Sequence, residues 1–484
     1  MKKTFEKKDL TKKSENLSEW YQDVVTKAGL ADYSDVKGSI VIRPYAYAIW
    51  ETVQSVLDSW FKEAGIKNCY FPLLIPISLV QKEKDHLKGF SPELAIVDYA
   101  GGEKLAEPLV VRPTSETIMY KSFADWIQSY RDLPLLINQW CNIVRWEKRT
   151  YPFLRTSEFL WQEGHTAHAT PEEAEQMTLD ALAWYKRFYE EVFAISLYAG
   201  LKSQGETFAG ADHTYAIETV MPDGKALQSA TSHNLSDHFS KVFDIEFLDE
   251  KGKKQHPYQT SWGFSTRSIG ALVLTHGDDF GLIMPPKAAP VQVIILPVAV
   301  KDEAANKKIL DYAEEVKKLL KGKFRVELDA ESKSSLGFRI NRWELQGVPL
   351  RLEIGPKELE NKSLRFARRD NFEKGDIKFS AAVSEVSKLL DEIQAFLYDR
   401  SDKLKKDLTK SADNFEDFRK IMATKKSFIR VKWCERAECE QAVKEQTKAT
   451  PRVLELQNLN KRGKGKCFAC GQEADREWLF AQSY

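Results

Sequence analysis

Cysteine is scarce in this chain: only six occur among 484 residues, too few for a disulfide framework. No stretch approaches the roughly 20 consecutive apolar residues that a membrane-spanning helix needs. The first residues are charged and lack the apolar core of a secretory signal peptide. These absences argue against a secreted disulfide scaffold and an integral membrane protein, and they predict a cytoplasmic location.

Low-complexity tracts and internal repeats are also lacking, and 43% hydrophobic with 30% charged residues is ordinary for a folded chain. The length suggests roughly three domains. The net charge of +1 conceals an asymmetry, −7 over residues 1–288 and +8 over residues 289–484. A basic second half favours contact with a polyanion, although scattered surface charge gives the same sums.

Helical patterns dominate the beginning of the chain. Apolar residues in 17–28 recur at helical spacing, and a longer helix is predicted to follow Pro44 and to end near Gly65. Residues 69–76 and 137–147 have the composition of strands. This part therefore mixes helices with strands that are distant from one another along the chain.

The second half changes pattern. Residues 213–262 predict antiparallel strands, and a proline-rich linker follows at 285–290. Strand and helix patterns then alternate through 291–354, which predicts a small α/β domain with a partly parallel sheet. A long charged helix is predicted over 382–421. We expect an α+β fold with three domains, at residues 1–288, 289–395 and 396–484.

Two close cysteine pairs lie near the end of the chain, with 27 residues between them. Two short knuckles of this kind can bring four thiolates tetrahedrally around one zinc ion. Because no fifth polar ligand is evident, the site is predicted to be closed and structural, and four unrelated buried cysteines are the alternative. The predicted ligands are Cys434, Cys439, Cys467 and Cys470. Cys69 and Cys141 are predicted to be core residues.

Arg145 and Glu147 are the first candidates for chemistry. On a strand, an arginine and a glutamate two residues apart share a face, so that the guanidinium can fork onto a phosphate beside the carboxylate. By itself this spacing means very little, because surface ion pairs on strands are commoner by far.

A larger set of motifs makes the functional interpretation of Arg145 and Glu147 more specific. In chain order the sequence contains RPTSE (112–116), RWE (145–147), FLRTSEFLWQEGH (153–165), FAGAD (208–212), ATSH (230–233) and WGFSTR (262–267). This set resembles the catalytic core of class II aminoacyl-tRNA synthetases, and more narrowly the prolyl-tRNA synthetases of archaeal/eukaryotic type. The resemblance extends from about residue 14 to the end of the chain.

The resemblance implies a fold and a reaction. An antiparallel class II core (1–288) is expected to precede an α/β anticodon-binding domain (289–395) and a small zinc-binding α/β domain (396–484). The implied enzyme is a ligase that joins L-proline to ATP as prolyl-adenylate and then transfers the prolyl group to tRNA(Pro). Arg145 and Arg267 are the implied catalytic residues.

The resemblance also implies roles for individual residues. The implied ATP-binding residues are Arg145, Glu147, Arg155, Thr156, Gln228, Thr231 and Arg267. The implied proline-binding residues are Thr114, Glu116, Arg145, Trp161, Glu163, His165, Phe208, His233 and Ser265. The implied anticodon-binding residues are Glu344, Arg351 and Lys357, and the implied contacts to the RNA backbone are Arg365, Arg368 and Arg369. Mg²⁺ is expected with ATP, near Gln228 and less directly near Glu218.

Further expectations concern assembly and alternatives. The resemblance implies a homodimer, no DNA or membrane partner, no editing domain between Thr156 and Trp262, and a terminal Tyr484 that docks near the catalytic site rather than fraying. Two alternatives stay open at this point. One is a catalytically inactive, tRNA-binding paralogue, and the other is a zinc-stabilised RNA-binding protein without ligase activity.

Overall fold

A computed structural model describes residues 10–82 and 94–484 of the protein. Of the helices in these ranges, none is both long enough and apolar enough to cross a membrane. The helices are α1 (Leu17–Lys27), α2 (Pro44–Glu63), α3 (Ile77–Gln81), α4 (Glu116–Trp126), α5 (Pro171–Glu191), α6 (His238–Val242), α7 (Arg267–His276), α8 (Glu303–Leu320), α9 (Leu336–Leu345), α10 (Pro356–Asn361), α11 (Ala382–Asp407), α12 (Phe415–Thr424) and α13 (Ala437–Thr447).

The strands of the described ranges fall into one large sheet and four smaller ones. They are β1 (Ala31–Tyr33), β2 (Ile40–Ile42), β3 (Lys67–Asn68), β4 (Leu74–Pro76), β5 (Ala95–Ala100), β6 (Glu103–Val111), β7 (Leu135–Val144), β8 (Glu158–His168), β9 (Leu197–Leu201), β10 (His213–Val220), β11 (Ala226–Ser236), β12 (Phe247–Leu248), β13 (Lys254–Gln255), β14 (Tyr258–Ser265), β15 (Val293–Pro297), β16 (Val326–Leu328), β17 (Leu350–Ile354), β18 (Ser363–Arg368), β19 (Lys374–Lys378), β20 (Thr409–Ser411), β21 (Phe428–Trp433), β22 (Thr450–Glu455) and β23 (Arg476–Ala481).

The large sheet has eleven strands in the order β20-β21-β23-β22-β9-β10-β11-β14-β8-β7-β3. Helix α5 packs on one face of its middle strands. On that face Tyr185 donates a hydrogen bond to Gln162, and Ser232 donates to the carbonyl oxygen of Thr178. Because successive side chains of a strand point to opposite faces, the residues next to Gln162 and Ser232 face away from α5. The helix thus leaves the opposite face available for a site.

The carboxyl-terminal strands continue this sheet instead of forming a separate one. Strand β22 pairs with β9, and Leu454 lies opposite Leu201 in an antiparallel register. The residues after β23 also contact the catalytic part of the sheet, since the backbone N–H of Ala226 in β11 donates to the carbonyl oxygen of Gln482 at 2.8 Å. The expected catalytic and zinc-binding regions therefore share one hydrogen-bonded sheet.

The α/β region has its own five-stranded sheet, in the order β16-β15-β17-β18-β19. The first three of these strands are parallel and the last two pairings are antiparallel. The predicted alternation of strands and helices over 291–354 is confirmed by β15, α8, β16, α9 and β17. Helix α8 packs on this sheet through a buried stripe that includes Ile309, Ala313 and Val316.

Three predictions of local structure are wrong. Strand β7 ends at Val144, so Arg145 follows the strand instead of lying on it. Residues 69–73 form no strand, since only β3 and β4 flank them. The helix predicted over 382–421 is interrupted after Asp407, where β20 joins the large sheet. Helix α11 also spans the expected domain boundary at 395/396.

Two arginines of β18 and its following turn have structural partners. Arg369 donates to both carboxylate oxygens of Asp278, at 2.8 and 2.6 Å, and is almost fully buried. Arg368 pairs with Asp370 and Glu392 and is also buried. The expectation that these two side chains contact an RNA backbone is therefore wrong. Arg369 instead ties the α/β region to the turn after α7.

Candidate active site

Three neighbouring strands place the expected site residues in rows on the face away from α5. The register aligns His233, Ser261 and His165 across β11, β14 and β8. Thr231 and Glu163 lie in the next row, each two positions before the histidine of its own strand. These alternate residues form the floor of a cavity.

The cavity has a volume of about 240 Å³. It is lined by twelve of the residues that the sequence assigns to proline and ATP: Thr114, Glu116, Arg145, Trp161, Glu163, His165, Phe208, Gln228, Thr231, His233, Ser265 and Arg267. The other three expected ATP residues are Glu147, Arg155 and Thr156, which line an adjoining cavity of about 40 Å³ with Arg145 and Arg267. The structure therefore brings both expected sets together around the two arginines.

Glu163 and His165 form a buried hydrogen-bond cluster at one end of the cavity. Glu163 Oε2 lies 3.1 Å from His165 Nε2, and Ser115 donates to the other carboxylate oxygen. Gln139 Nε2 donates to the same oxygen at 2.8 Å. The hydroxyl of Tyr120 lies 3.1 Å from His165 Nδ1, so both ring nitrogens have a partner.

The cluster favours its charged forms. Burial alone would raise the pKa of Glu163, but the hydrogen bond and charge of His165, with the hydrogen bonds of Ser115 and Gln139, lower it below its usual value. Burial alone would lower the pKa of His165, but the hydrogen bond that Glu163 accepts from it and the charge of Glu116 raise that pKa. Both shifts have the same cause, the short contact between the imidazole of His165 and the carboxyl group of Glu163.

A second buried carboxylate makes this end of the cavity acidic. Glu116 is 3% exposed and accepts a hydrogen bond from the hydroxyl of Thr114. Glu116 and Glu163 thus place two carboxyl groups beside His165 at this end of the cavity. Carboxyl oxygens that line a cavity suit the N–H donors of a small cation.

Aromatic rings form the apolar walls of the cavity. The rings of Phe208 and His233 lie 4.5 Å apart between centroids, at an angle of 31°. Thr214 fixes the imidazole through a 2.9 Å contact between its hydroxyl and His233 Nδ1. The indole of Trp161 donates to Cys141 Sγ at 3.2 Å. A compact apolar ring carrying a cationic nitrogen matches these walls and the acidic end.

The two arginines are held by backbone carbonyl groups. Arg145 Nε donates to the carbonyl oxygen of Pro113 at 3.1 Å, and its guanidinium lies 5.6 Å from the ring centroid of Phe159. Arg267 begins helix α7, and its Nε donates to the carbonyl oxygen of Leu154 at 2.9 Å. Both guanidinium groups line the cavity, so an anion bound there meets two fixed cations.

A larger cavity of about 840 Å³ adjoins the first and shares Gln228 and Arg267 with it. The end of the chain lines this cavity. Tyr484 donates through its backbone N–H to the carbonyl oxygen of Ala226 at 3.1 Å, and Lys225 Nζ lies 4.5 Å from the centroid of the Tyr484 ring. The terminal residue is thus docked beside the cavity.

Glu218 does not fit the expected magnesium role. Its side chain is fully buried and pairs with Arg452 at 2.7 Å and with Lys202 at 3.4 Å. Both cations contact its Oε1 and balance its charge, which disfavours a divalent cation at this carboxylate. The expectation for Glu218 is therefore withdrawn.

The four cysteines of the carboxyl-terminal region meet as predicted. Their sulfur atoms all lie within 4.8 Å of one another, and the pairs Cys434–Cys470 and Cys439–Cys467 are each 3.6 Å apart. A tetrahedral zinc with Zn–S bonds of about 2.3 Å sets neighbouring sulfurs roughly 3.8 Å apart. The geometry and the four thiolate donors fit a metal ion of this kind.

The expected anticodon residues are only partly brought together. Arg351 pairs with Glu344 at 3.0 Å and with Glu353 at 2.8 Å. Glu344 and Arg351 both line a small recess beside Trp343. Lys357 is exposed on α10 and does not line this recess.

Several residues of the site were missed in the sequence. Phe159 lies two positions before Trp161, so strand alternation alone was a signal for it. Tyr120, four residues after Glu116, shares its helix face. Cys141, predicted to be a core residue, is half-buried and contacts Trp161 and Glu163, so that prediction is wrong. The signal for it is the register of the consecutive strands β7 and β8, which places Cys141 opposite Trp161.

Comparison with known proteins agrees with this geometry. Three family models match the chain: "tRNA synthetase class II core domain (G, H, P, S and T)" over residues 99–276, "Anticodon binding domain" over 292–389 and "Prolyl-tRNA synthetase, C-terminal" over 415–484. A proline–tRNA ligase of Clostridioides difficile is 48% identical over 98% of both chains. A proline–tRNA ligase of Borreliella burgdorferi is 49% identical over 98% of this chain and 99% of its own.

A solved structure is similar over the same extent. It is the prolyl-tRNA synthetase of Cryptosporidium parvum complexed with halofuginone and AMPPNP. The TM-score is 0.93 at 44% identity, and the match covers 98% of this chain and 99% of that one. The resemblance seen in the motifs thus extends through the whole fold, and the chain belongs to the family of proline–tRNA ligases, with a class II synthetase core.

Proposed function

We propose that this chain activates L-proline with ATP and transfers the prolyl group to tRNA(Pro). The observation that carries the proposal is one cavity with an acidic end, aromatic walls and two fixed guanidinium groups. In the first step a proline carboxylate oxygen attacks the α-phosphorus of ATP, and the bond to pyrophosphate breaks. In the second step a terminal ribose hydroxyl of the tRNA attacks the prolyl carbonyl carbon, and AMP leaves.

The chemistry relies on position and charge. Arg145 is proposed to hold the substrate carboxylate against the α-phosphate, two anions that otherwise repel each other. Arg267 is proposed to bind the outer phosphates. The pair Glu147 and Arg155, joined at 2.7 Å, is proposed to meet the adenosine part with Thr156. A Mg²⁺ ion bound with ATP would neutralise phosphate charge, and Gln228 would be the residue of this chain that holds it through its side-chain carbonyl oxygen.

Selectivity for proline is proposed to come from the acidic end of the cavity and from its aromatic walls. The secondary ammonium of proline has two N–H donors, for which Glu116 and Thr114 offer acceptors. The apolar ring would pack against Trp161, Phe208 and His233, while Glu163 and His165 support the acidic end and Ser265 closes the cavity. Shape alone excludes the smaller alanine only modestly, by a few kcal/mol at most.

Contacts with tRNA are proposed for the α/β domain. Glu344 offers a hydrogen-bond acceptor, and the guanidinium of Arg351, which Glu344 orients, offers donors beside it. An acceptor next to donors suits the edge of an unstacked base. Lys357 is proposed to add a contact from outside the recess. The four-cysteine cluster is proposed to hold a structural zinc ion that fixes the carboxyl-terminal domain.

Assembly and location complete the proposal. Large apolar side chains are exposed on and beside the sheet of β4, β5 and β6, where Tyr70 is 69% exposed and Tyr99 is 63% exposed. We propose that this surface and α2 form the interface of a homodimer in the cytoplasm. The proposed domains are residues 1–288, 289–395 and 396–484.

Proline-dependent ATP–pyrophosphate exchange tests the proposal. We expect the purified protein to incorporate labelled pyrophosphate into ATP when proline is present, and to do so far more slowly when alanine replaces proline. A chain that binds tRNA(Pro) but gives no exchange with any amino acid would instead be the inactive paralogue. A chain that does neither would contradict the whole proposal.

The protein is also expected to lack editing activity. The described residues between Thr156 and Trp262 form strands and helices of the core, with no additional domain inserted. Purified protein mixed with alanyl-tRNA(Pro) should therefore not raise the rate of ester hydrolysis above the spontaneous rate. Enzyme-dependent release of alanine would contradict this expectation.

A further inference from the structure

Four charged side chains form a buried cluster where the carboxyl-terminal domain meets the nucleotide part of the cavity. Arg452 Nη2 donates to Glu218 Oε1 at 2.7 Å, and Lys202 Nζ lies 3.4 Å from the same oxygen. Glu206 lies 3.5 Å from Lys202 and 3.8 Å from Arg452. The exposed fractions of the Lys202, Glu218 and Arg452 side chains are at most 4%. The Glu206 side chain is 24% exposed, so two cations balance one fully buried carboxylate and one at the edge of the cavity.

Two strand irregularities bring these side chains together. The pairing of β22 with β23 shifts register between Pro451 and Val453, which leaves Arg452 as the extra residue. The pairing of β10 with β11 shifts register immediately before Glu218. In the second pairing the extra residue is Ser229 of β11, opposite the step from Ile217 to Glu218. A β-bulge re-aims the side chain that it carries, which here is that of Arg452. Arg452 therefore reaches across from β22 to a carboxylate of the catalytic sheet.

The cluster borders the residues proposed to bind ATP. Glu218 lies opposite Gln228 in the strand register, and Gln228 accepts a hydrogen bond through its backbone oxygen from Arg267 at 3.3 Å. Glu206 and Arg452 line the 840 Å³ cavity together with Gln228 and Arg267. A change of charge in the cluster therefore alters the electrostatic potential where the ATP phosphates are proposed to bind.

The cluster is also incompletely satisfied. Glu218 Oε2 and Arg452 Nε have no hydrogen-bond partner although both atoms are buried. A buried carboxylate with few bonds depends strongly on each cation that remains. Lys202 alone would be left to balance Glu206 and Glu218 if the guanidinium were removed.

We propose that Arg452 is a positioning residue for ATP: it holds Glu218 and Glu206 from the carboxyl-terminal domain, and so keeps the nucleotide side of the cavity free of excess negative charge. The proposal deepens the proposed function and rests on it. It makes the carboxyl-terminal domain a contributor to ATP binding through a side chain that touches neither substrate.

The test separates ATP from proline. In the Arg452→Met variant, the net charge of the cluster falls to −1, so we expect the KM for ATP to rise roughly tenfold, equivalent to about 1.4 kcal/mol. The KM for proline should stay within about twofold, since the acidic end of the cavity is untouched. Equal increases in both KM values would indicate a merely structural role and would overturn the proposal.

Two further variants complete the test. Arg452→Lys keeps the charge and should restore most of the ATP affinity. The double variant Arg452→Met/Glu218→Gln is neutral again and should have a KM for ATP within about threefold of wild type. A double variant no better than Arg452→Met would contradict the charge argument.

Folding and function failures are distinguishable. Circular dichroism shows whether Arg452→Met folds, and if it does not, the variant Glu218→Gln is measured in its place. Glu218→Gln gives the cluster an excess positive charge, so it should lower the KM for ATP and leave the KM for proline unchanged. An unchanged KM for ATP in Glu218→Gln would then overturn the inference. A wild-type protein without proline-dependent exchange would refute the proposed function itself.

Discussion

Replacing Arg145 with alanine is expected to reduce proline-dependent ATP–pyrophosphate exchange by roughly a thousandfold, the loss typical when a group that stabilises transition-state charge is removed. The side chain lies where the carboxylate of one substrate must approach the α-phosphate of the other. Without the guanidinium, the two anions repel each other at the moment of bond formation. The measurement is the rate of label exchange at saturating ATP and proline.

The fold should survive this substitution. Arg145 follows the end of β7 and is only half-buried, and its Nε donates a hydrogen bond to the carbonyl oxygen of Pro113. Removal of a side chain that borders a cavity leaves the core intact, so the melting temperature should change by only a few degrees. A large loss of activity with an unchanged melting curve would identify a chemical role.

Two control variants sharpen the prediction. Arg145→Lys keeps the charge but loses the planar fork, so its activity should stay well below wild type. Arg187→Ala removes an arginine of α5 that is 52% exposed and paired with Glu191, and it should have nearly full activity. Near-normal exchange by Arg145→Ala would contradict the proposed clamp between carboxylate and phosphate.

Local patterns were sufficient to predict much of the fold. The helix after Pro44 carries an apolar stripe, and the structure places it at Pro44–Glu63, before the left-handed Gly65. The strands and helices over 291–354 also lie where their periodicity predicts them. In both cases the signal is contained in a short segment, so no knowledge of distant contacts is required.

Long-range pairing was not predictable in the same way. Nothing near Leu201 or Leu454 in the sequence indicates that these residues lie opposite each other in one sheet. The same holds for Cys141, whose contact with Trp161 follows from the register of β7 and β8. The contact of Arg452 with Glu218 depends on two bulges and on 234 residues of separation. Tertiary register, not local propensity, decides such contacts.

Charge composition proved a weak guide to RNA contacts. The basic second half suggested contacts to a polyanion, yet Arg368 and Arg369 pair with carboxylates inside the protein. Net charge counts side chains without regard to burial, whereas only exposed cations meet a phosphate backbone.

Replacing Cys467 with serine is expected to have the second large effect, loss of the metal and of the ordered carboxyl-terminal domain. Cys467 is 3% exposed, and its sulfur lies 3.6 Å from that of Cys439. Serine is a poor zinc ligand, and structural zinc sites contribute on the order of 10 kcal/mol to the folding of small domains. Elemental analysis should find about one zinc ion per chain in the wild type and almost none in the variant.

The effect should extend to the catalytic region because both regions share one sheet. The core of the carboxyl-terminal domain packs Phe468, next to the cysteine, against Phe418 and Phe480. Strand β23, which carries Phe480, pairs with β22, and β22 pairs with β9 of the catalytic region. We therefore expect Cys467→Ser to unfold at a lower temperature and to exchange pyrophosphate more slowly than the wild type.

A matched cysteine variant decides the interpretation. Cys69→Ser removes a half-buried thiol outside the four-cysteine cluster, and it should retain the metal, the melting temperature and the exchange rate. If Cys467→Ser loses its zinc but keeps full activity, the shared sheet does not couple the two regions, and the role of Arg452 in ATP binding loses its structural basis. If Cys467→Ser retains equimolar zinc, the four-thiolate site itself is refuted. Loss of both metal and activity, with Cys69→Ser unaffected, would tie the integrity of the zinc site to catalysis through the β22–β9 pairing.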